Sequence, residues 1–181
     1  MDAIFQSIQA LDFRILDAIQ DVFRCAFLDA FMPVITLLGN AGICWLILAL
    51  FLLLWKSKRT CGLSILAGLL FHLLFINLFL KKVTARLRPF QVNESFPLLI
   101  TAPTDYSFPS GHTGGAFIAA TILLHYDKRL GIPVLILAIM IAFSRLYLYV
   151  HYPSDVIAGA IIGILLGRIA IALTEKFLNK Q

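Results

Sequence analysis

The sequence predicts an all-α fold: a polytopic membrane helical bundle with five transmembrane helices and an N-terminal interfacial amphipathic helix. The first observation is composition, because 60% of the 181 residues are hydrophobic and 14% are charged. A soluble domain has about 45–50% apolar and about 25% charged residues. The second observation is that most charges lie at the ends of apolar runs, as in membrane-protein loops. This arrangement argues against a nucleic-acid-binding protein, which the formal net charge of +5 would otherwise suggest.

The N-terminal segment, residues 1–39, is predicted to lie in the membrane interface. Apolar side chains recur there at helical spacing, and polar residues such as Asp12 and Asp17 lie on the opposite face, a pattern typical of an interfacial helix. Because the first 24 residues interleave charged and apolar side chains, we expect no cleaved signal peptide. The sequence GNAG at 39–42 then interrupts the apolar run.

Five apolar runs follow, and most of them approach the roughly 20 residues that a membrane-spanning helix needs. The predicted spans cover residues 42–55, 61–80, 111–125, 132–150 and 153–173. A sixth span is an alternative if residues 20–39 also cross the membrane. All segments belong to one predicted domain, residues 1–181, whose helical core covers residues 40–175.

The distribution of basic residues predicts the orientation of these spans. The connections at 56–59 and 128–129 and the C-terminal tail carry lysines and arginines, so their side is expected to face the cytoplasm. Further cations fall on the opposite, extracytoplasmic side: Lys81, Lys82, Arg86, Arg88 and Arg145. These cations violate the orientation rule, and such an exception indicates a functional role.

Three segments that are remote in sequence meet at this outer surface in the predicted topology. They are KKVTARLRP at 81–89, PSGH at 109–112 and SRLYLYVHYPSD at 144–155. They bring together three cations and the start of a helix, namely Lys81, Arg88, Arg145, Ser110 and Gly111. Backbone N–H groups at a helix N-terminus bind anions, glycine permits close approach of a phosphate, and arginine offers paired donors to its oxygens. The sequence therefore predicts a phosphate pocket.

Two histidines and one carboxylate would make this pocket reactive. His151 and Asp155 are four residues apart around Pro153, which suits the first turn of a helix. Asp155 can accept the imidazole N–H, which leaves the other ring nitrogen of His151 free as a nucleophile. His112 arrives from a different segment and can protonate the leaving oxygen. This division of roles predicts phosphoryl transfer at the membrane surface, where a lipid headgroup would lie.

The three segments resemble, in order and in internal spacing, the three-part signature of the type-2 phosphatidic acid phosphatase superfamily, and the resemblance extends over residues 40–175. It implies that phosphate is held by Lys81, Arg88, Ser110, Gly111 and Arg145. It makes His112 the acid, His151 the nucleophile that forms a phosphohistidine, and Asp155 the orienting partner of His151. No metal and no cofactor are implied. Lys82 is predicted to extend to the interface, and the role of Arg86 is left open.

The resemblance implies a hydrolase, a metal-independent lipid phosphate or diphosphate phosphatase in the cell membrane, with its active site on the extracytoplasmic side. The expected partners are a membrane lipid substrate and the lipid bilayer, and no nucleic acid. Undecaprenyl diphosphate is the preferred substrate, because several cations suit a diphosphate and an outward-facing pocket suits a carrier lipid. Phosphatidylglycerol phosphate and phosphatidic acid are the alternatives. A non-catalytic phospholipid-binding or transport protein of the same fold is a further alternative, and the oligomeric state is left open.

Other features are expected to be structural. Cys25, Cys44 and Cys61 lie in apolar surroundings without metal-ligand spacing, so we predict buried hydrophobic residues. His72 has no matching partner and is predicted to be a packing residue. Residues 94–106 connect two of the motifs, either as a lid on the lipid surface or as a simple tether.

Overall fold

The computed structural model describes residues 2–179, and over this range every regular element is helical. The helices are α1 (Asp2–Phe23), α2 (Ala26–Leu37), α3 (Ile43–Leu53), α4 (Arg59–Phe71), α5 (Lys81–Thr84), α6 (Pro89–Val92), α7 (Gly111–Tyr126), α8 (Lys128–Tyr147) and α9 (Pro153–Leu178). Short 3₁₀ turns, Asn40–Gly42 and Lys56–Lys58, precede α3 and α4, and a π-helical segment, His72–Leu80, joins α4 to α5. Helices therefore occupy every run that the sequence predicts to be a span.

Four stretches are long and apolar enough to cross a membrane: Ala26–Leu53, Lys56–Val92, Lys128–Tyr147 and Pro153–Leu178. The chain is therefore a multi-pass membrane protein. The first stretch includes α2, so it begins well before the predicted span at 42–55. Helix α7 has 16 residues and is largely buried by its neighbours. The number of crossings, five or six, stays a prediction.

Helix α7 packs most extensively against α8 and α9, and it also contacts α3 and α4. Helix α9 approaches it through glycines. A Cβ atom at Gly159 would lie 2.6 Å from the carbonyl O of Ser110, and one at Gly163 would lie 2.5 Å from the carbonyl O of Gly114. These distances leave no room for a side chain. The glycines of α9 therefore hold its first turns against the first turns of α7.

Helix α1, Asp2–Phe23, forms within the predicted interfacial segment 1–39, but several of its polar side chains are turned towards the protein. Asp12 is only 3% exposed. Asp17 accepts a hydrogen bond from the Tyr149 hydroxyl at 2.8 Å, and the Gln20 amide donates to the carbonyl O of Tyr147 at 2.9 Å. The exposed part of α1 carries many large apolar side chains, Ile4, Phe5, Ile8, Leu11, Ile15 and Val22, beside polar ones such as Arg14 and Asp21. An interfacial position for α1 stays a prediction.

The chain breaks between α2 and α3, where the GNAG sequence predicts an interruption. Ala41 and Gly42 have φ angles of 50° and 69°, the left-handed conformation that glycine adopts without strain. Gly39 lies directly against the site, because a Cβ atom there would be 2.7 Å from Cδ2 of His112. The break therefore lets the backbone pass close beside His112.

The cysteines are free thiols, and their burial differs. Cys61 is buried and Cys44 is partly buried, but Cys25 is exposed. The prediction of a buried residue is wrong for Cys25, because it lies in the short connection between α1 and α2 rather than on an inward face of a helix.

The two ends of the bundle differ in charge and in bonding. At one end, an ion pair of Lys58 with Asp127 at 3.0 Å and a hydrogen bond between His125 Nε2 and Glu175 Oε1 at 3.0 Å connect neighbouring elements. At the other end lie the end of α5, the start of α7, the end of α8 and the start of α9. This second end brings together the three segments that the sequence singles out.

Candidate active site

Three buried cations form the polar floor of the site. Lys81 of α5, Arg88 in the connection before α6 and Arg145 of α8 are 6%, 1% and 2% exposed. They line a cavity of about 290 Å³ together with Asp105 and His112. Buried cations are costly unless anions or strong acceptors surround them. The cavity is therefore electrostatically suited to an anionic ligand.

Asp105, from the loop before α7, is the nearest anion to two of these cations. Its Oδ1 accepts from Arg88 Nη2 at 2.6 Å, and its Oδ2 forms an ion pair with Lys81 Nζ. Partial burial raises the pKa of the Asp105 carboxyl, but Lys81 and Arg88 outweigh it and hold that pKa well below its usual range. The Asp105 carboxylate thus accepts hydrogen bonds from Lys81 and Arg88, the two side chains that the sequence analysis predicts to bind phosphate.

Arg145 is held from the opposite side. Its Nη1 donates to Thr36 Oγ1 of α2 at 2.5 Å. Its Nε is buried and has no hydrogen-bond acceptor anywhere in residues 2–179. A buried donor without an acceptor costs free energy, so it favours a ligand that can supply an oxygen. Arg145 is therefore well suited to bind a phosphate oxygen.

His151 is fixed by partners on both ring nitrogens. Arg88 Nη1 lies 3.1 Å from His151 Nε2, and Asp155 Oδ2 lies 3.5 Å from His151 Nδ1. A guanidinium can only donate, so Nε2 is the acceptor and the proton of the neutral ring is on Nδ1, facing Asp155. Burial, and then the positive charges of Arg88, Arg145 and Lys81, hold the pKa of His151 well below its ordinary value. The imidazole is therefore neutral at pH 7, with a lone pair on Nε2.

Asp155 is completely buried, and both of its carboxylate oxygens accept hydrogen bonds. Oδ2 accepts from Ser107 Oγ at 2.5 Å and from the backbone N–H of Tyr152 at 3.0 Å. Oδ1 accepts from Arg86 Nη1 at 2.6 Å. These bonds fix the carboxylate beside the Nδ1–H of His151, as the orienting role requires.

His112 and the start of α7 form the other wall. His112 Nε2 lies 2.7 Å from Asn40 Oδ1, in the turn before α3. Ser110 caps α7, and its Oγ lies 3.0 Å from Thr113 Oγ1, so the hydroxyl is used within the helix start. Gly111 is close to the cations, because a Cβ atom there would lie 3.7 Å from Lys81 Nζ. The structure thus brings every predicted site residue to one region, with the Ser110 hydroxyl directed towards Thr113.

An apolar groove leads away from this region. A second cavity, of about 440 Å³, is bordered at one end by Lys81, Asp105, Gly111 and His112. Its other walls come largely from α3, α4 and the π-helical segment, and they carry leucines: Leu46, Leu66, Leu69, Leu70 and Leu73. The polar end can hold a headgroup while the leucines contact an apolar chain.

Several contributors to the site escape prediction from the sequence. They are Asp12, Thr36, Asn40, His72, Ser107 and Asp105, and Arg86 is left without a role at that stage. His72 is more than a packing residue, because its Nε2 lies 2.9 Å from the carbonyl O of Gly111. Residues 98–100 of the motif-connecting loop pack against the cluster around Tyr147 and Val150. The loop is therefore anchored to the bundle and delivers Asp105 to the cations.

Comparison with known proteins agrees with this geometry. The family model described as PAP2 superfamily matches residues 60–178. An undecaprenyl-diphosphatase of Sulfolobus acidocaldarius is 34% identical over 145 residues, which cover 77% of this chain and 68% of that protein. The undecaprenyl-diphosphatase BcrC of Bacillus subtilis is 31% identical over 144 residues, which cover 77% of this chain and 72% of that protein.

Among solved structures, a PAP2 type phosphatidylglycerolphosphate phosphatase from Bacillus subtilis superposes with a TM-score of 0.78 at 27% identity. The superposition covers 94% of this chain and 87% of that one. The family model covers more than half of the chain, and it includes all three motifs. The resemblance found in the sequence is thereby confirmed, and the chain belongs to the PAP2 superfamily.

Proposed function

We propose that this protein is a membrane hydrolase that removes phosphate from a lipid phosphate, and that its substrate is undecaprenyl diphosphate, which it converts to undecaprenyl phosphate. The observation that carries the proposal is the state of His151. Arg88, one of the cations that line the cavity, donates to the Nε2 lone pair of His151, while Asp155 faces Nδ1. A phosphate-binding protein without turnover would need the cations, but it would not need an oriented nucleophile and a separate acid.

In the proposed first step, Arg88 Nη1 moves from His151 Nε2 to a phosphoryl oxygen, and the freed Nε2 lone pair attacks the terminal phosphorus. The P–N bond forms as the bond between phosphorus and the bridging oxygen breaks, and the lipid monophosphate departs with a proton from His112, which enters this step as an imidazolium that the negative charge of the bound diphosphate stabilises. The phosphorylated imidazole is positively charged, so the Asp155 carboxylate stabilises it through Nδ1–H. Lys81, Arg88 and Arg145 stabilise the charge on the phosphoryl oxygens.

In the second step, water attacks the phosphohistidine and transfers a proton to His112. The P–N bond breaks, inorganic phosphate leaves, and His151 returns to its neutral form. Asp105 must yield its place at Lys81 and Arg88 when phosphate binds, because both use the same donors. No step uses a metal ion, so we expect chelators to leave the rate of phosphate release unchanged.

Four features support the polyprenyl substrate. Both curated relatives described above are undecaprenyl-diphosphatases by name. The leucine-lined groove suits a long apolar chain, and the cations suit the charge of a diphosphate. The departing lipid monophosphate is also a weaker base than an alkoxide. Phosphatidylglycerol phosphate is the second candidate, because of the structural similarity to a phosphatidylglycerolphosphate phosphatase.

The site is proposed to face away from the cytoplasm. Lys58 and Arg59 lie at the opposite end of the bundle, beside Lys128 and Arg129 at the start of α8. Basic residues concentrate on the cytoplasmic side of membrane proteins, which supports this orientation. A carrier lipid diphosphate on the outer leaflet would then reach the site directly.

The test is phosphate release by the purified protein from undecaprenyl diphosphate, phosphatidylglycerol phosphate and phosphatidic acid in matched detergent, with and without a chelator. We expect the highest kcat/KM for undecaprenyl diphosphate and no loss with the chelator. A tenfold preference for either glycerolipid, about 1.4 kcal/mol in transition-state binding, would overturn the substrate assignment. Failure to release phosphate from all three would overturn the enzymatic function.

A further inference from the structure

Arg86 lies between two buried carboxylates on the side of Asp155 that faces away from the phosphate cavity. Its Nη1 donates to Asp155 Oδ1 at 2.6 Å, and its Nη2 donates to Asp12 Oδ2 at 2.7 Å. The three side chains are 10%, 0% and 4% exposed, in the order Arg86, Asp155 and Asp12. The charges form a line of anion, cation and anion that runs from helix α1 to the partner of His151.

The contacts of Arg86 fix the direction of its guanidinium. Nη1 also donates to Ser154 Oγ at 2.8 Å, and the guanidinium carbon lies 3.9 Å from the centroid of the Tyr152 ring. A planar guanidinium that is stacked on a ring and bonded to two carboxylates has one favourable orientation. A buried carboxylate needs charged or hydrogen-bonding partners, so the position of Arg86 fixes the position of Asp155 Oδ1.

Asp12 holds the same region from helix α1. Its Oδ1 accepts from the backbone N–H of Ser154 at 2.9 Å, and its Oδ2 accepts from Ser154 Oγ at 2.5 Å. The N–H groups of the first helical turn have no partner within the helix, so a carboxylate there stabilises the helix start. A side chain of α1 thus serves as an acceptor for the first turn of α9, which also carries Asp155.

We infer that Arg86 and Asp12 are positioning residues for the reaction, and that helix α1 is thereby part of the active site. This inference rests on the proposed function. Arg86 borders a different cavity from the one that Lys81, Arg88 and Arg145 share: a space of about 540 Å³ that Phe5, Thr84 and Phe108 also line. It acts on His151 through Asp155 and does not contact phosphate. Its loss is therefore expected to lower kcat and to leave KM nearly unchanged.

The experiment measures kcat, KM and vanadate inhibition of the full-length protein and of Arg86→Gln, Arg86→Lys and Asp12→Asn. Arg14→Gln and Asp21→Asn are matched controls, because both residues lie on α1 with exposed side chains. We expect kcat of Arg86→Gln to fall by about 10- to 100-fold, by analogy with the loss of an outer hydrogen-bond partner of a metal-binding histidine. Arg86→Lys should recover part of the loss, and Asp12→Asn should show a smaller loss.

Chemical rescue separates positioning from folding. Arg86→Ala leaves a space that borders the open cavity, so added guanidinium chloride at low millimolar concentration should raise its kcat severalfold while leaving the wild type unchanged. A kcat of Arg86→Gln close to wild type would overturn the inference, as would a loss without rescue by lysine or guanidinium. Vanadate inhibition that weakens as much as in Arg88→Gln would make Arg86 a phosphate ligand instead. A wild type that releases no phosphate would contradict the proposed function rather than this inference.

Discussion

Asp105 accepts a hydrogen bond from Arg88 Nη2 at 2.6 Å, so a loop carboxylate binds the guanidinium that is proposed to bind phosphate. The same carboxylate pairs with Lys81, and its side chain is 54% exposed. An internal anion at this position competes with an external one. The loop before α7 therefore sets the electrostatic cost of phosphate binding.

Replacing Asp105 with asparagine should strengthen the binding of phosphate. The variant removes the competing charge and keeps the shape, so we expect the inhibition constant for inorganic phosphate to fall about two- to fivefold, the range for a partly exposed ion pair. Asp127→Asn, which breaks an ion pair at the opposite end of the bundle, is the control. Weaker phosphate binding in Asp105→Asn would mean that Asp105 holds the cations in position instead of competing for them.

The buried neutral His151 should make stability depend on pH. Its pKa in the folded protein is lowered, first by burial, so below the ordinary value of about 6.5 the unfolded chain takes up a proton that the folded chain does not. Stability is therefore retained above this pH and lost below it. We expect Tm in detergent to fall between about pH 7.5 and about pH 5.5, which bracket that value.

The matched variants are His151→Gln, which cannot take up a proton, and His125→Gln, at an exposed histidine. The fall in Tm should be smaller in His151→Gln than in the wild type, and it should be unchanged in His125→Gln. An equal fall in all three proteins would show that the His151 ring does not control this dependence.

Loss of any of three site residues should be far more damaging than loss of a neighbouring surface cation. In His151→Ala, His112→Ala and Arg145→Ala we expect kcat to fall about a hundredfold or more, because these groups act on the transition state. Lys82→Ala should remain close to wild type, since Lys82 is exposed. Acid-labile radiolabel from phosphate-labelled substrate should be trapped in His112→Ala and absent from His151→Ala. Full activity of a folded His151→Ala would refute the phosphohistidine.

The leucine groove should discriminate substrates by chain length. Leu70 lines the groove and is 53% exposed, so Leu70→Trp should narrow it with little strain on the core. We expect KM for undecaprenyl diphosphate to rise about fivefold, near 1 kcal/mol, and KM for the shorter farnesyl diphosphate to rise less. Leu50→Trp, at a residue that is 51% exposed and outside the groove, is the control. Equal effects on both substrates would place the lipid chain elsewhere.

Thiol labelling should reveal the orientation of the site. Single cysteines at Val92 and Ser57, in a background without Cys25, Cys44 and Cys61, should react with an impermeant reagent from opposite sides of the membrane. Both positions are exposed. We expect the cysteine at 92 to react in intact cells and the cysteine at 57 to react only after permeabilisation. The reverse pattern would place the site on the cytoplasmic side.

The sequence predicts the helices that carry the motifs because their ends are marked by local chemistry. Ser110 and Gly111 mark the start of α7, and Pro153 marks the start of α9; the structure begins both helices there. The meeting of the three segments follows from topology alone, because alternate ends of successive helices lie on the same side. No three-dimensional information is needed for that part of the site.

The remaining part of the site depends on which helix faces pack together, and the periodicity of apolar residues does not specify this. The residue pattern of α1 identifies a polar face. Whether that face contacts water or the protein depends on partners that are far away in sequence, such as Ser154 for Asp12. Asp105 and Ser107 lie in a loop without periodicity, so their approach to Lys81 and Asp155 leaves no trace in residue spacing. Arg86 lies within the first motif, yet spacing alone cannot tell a phosphate ligand from a carboxylate partner.

The close contact of α9 with α7 at Gly159 and Gly163 has a consequence for how this protein could acquire new substrates. His151, the proposed nucleophile, precedes α9, and His112, the proposed acid, lies at the start of α7; the backbones of the two helices touch there with no side chain between them. Evolution cannot adjust the separation of these two elements in small increments, because even an added methyl group would collide with a carbonyl oxygen. Substrate specificity is therefore expected to change through substitutions among the leucines of the groove and in the loop that carries Asp105. Side chains there can be exchanged without changing the separation of His112 and His151.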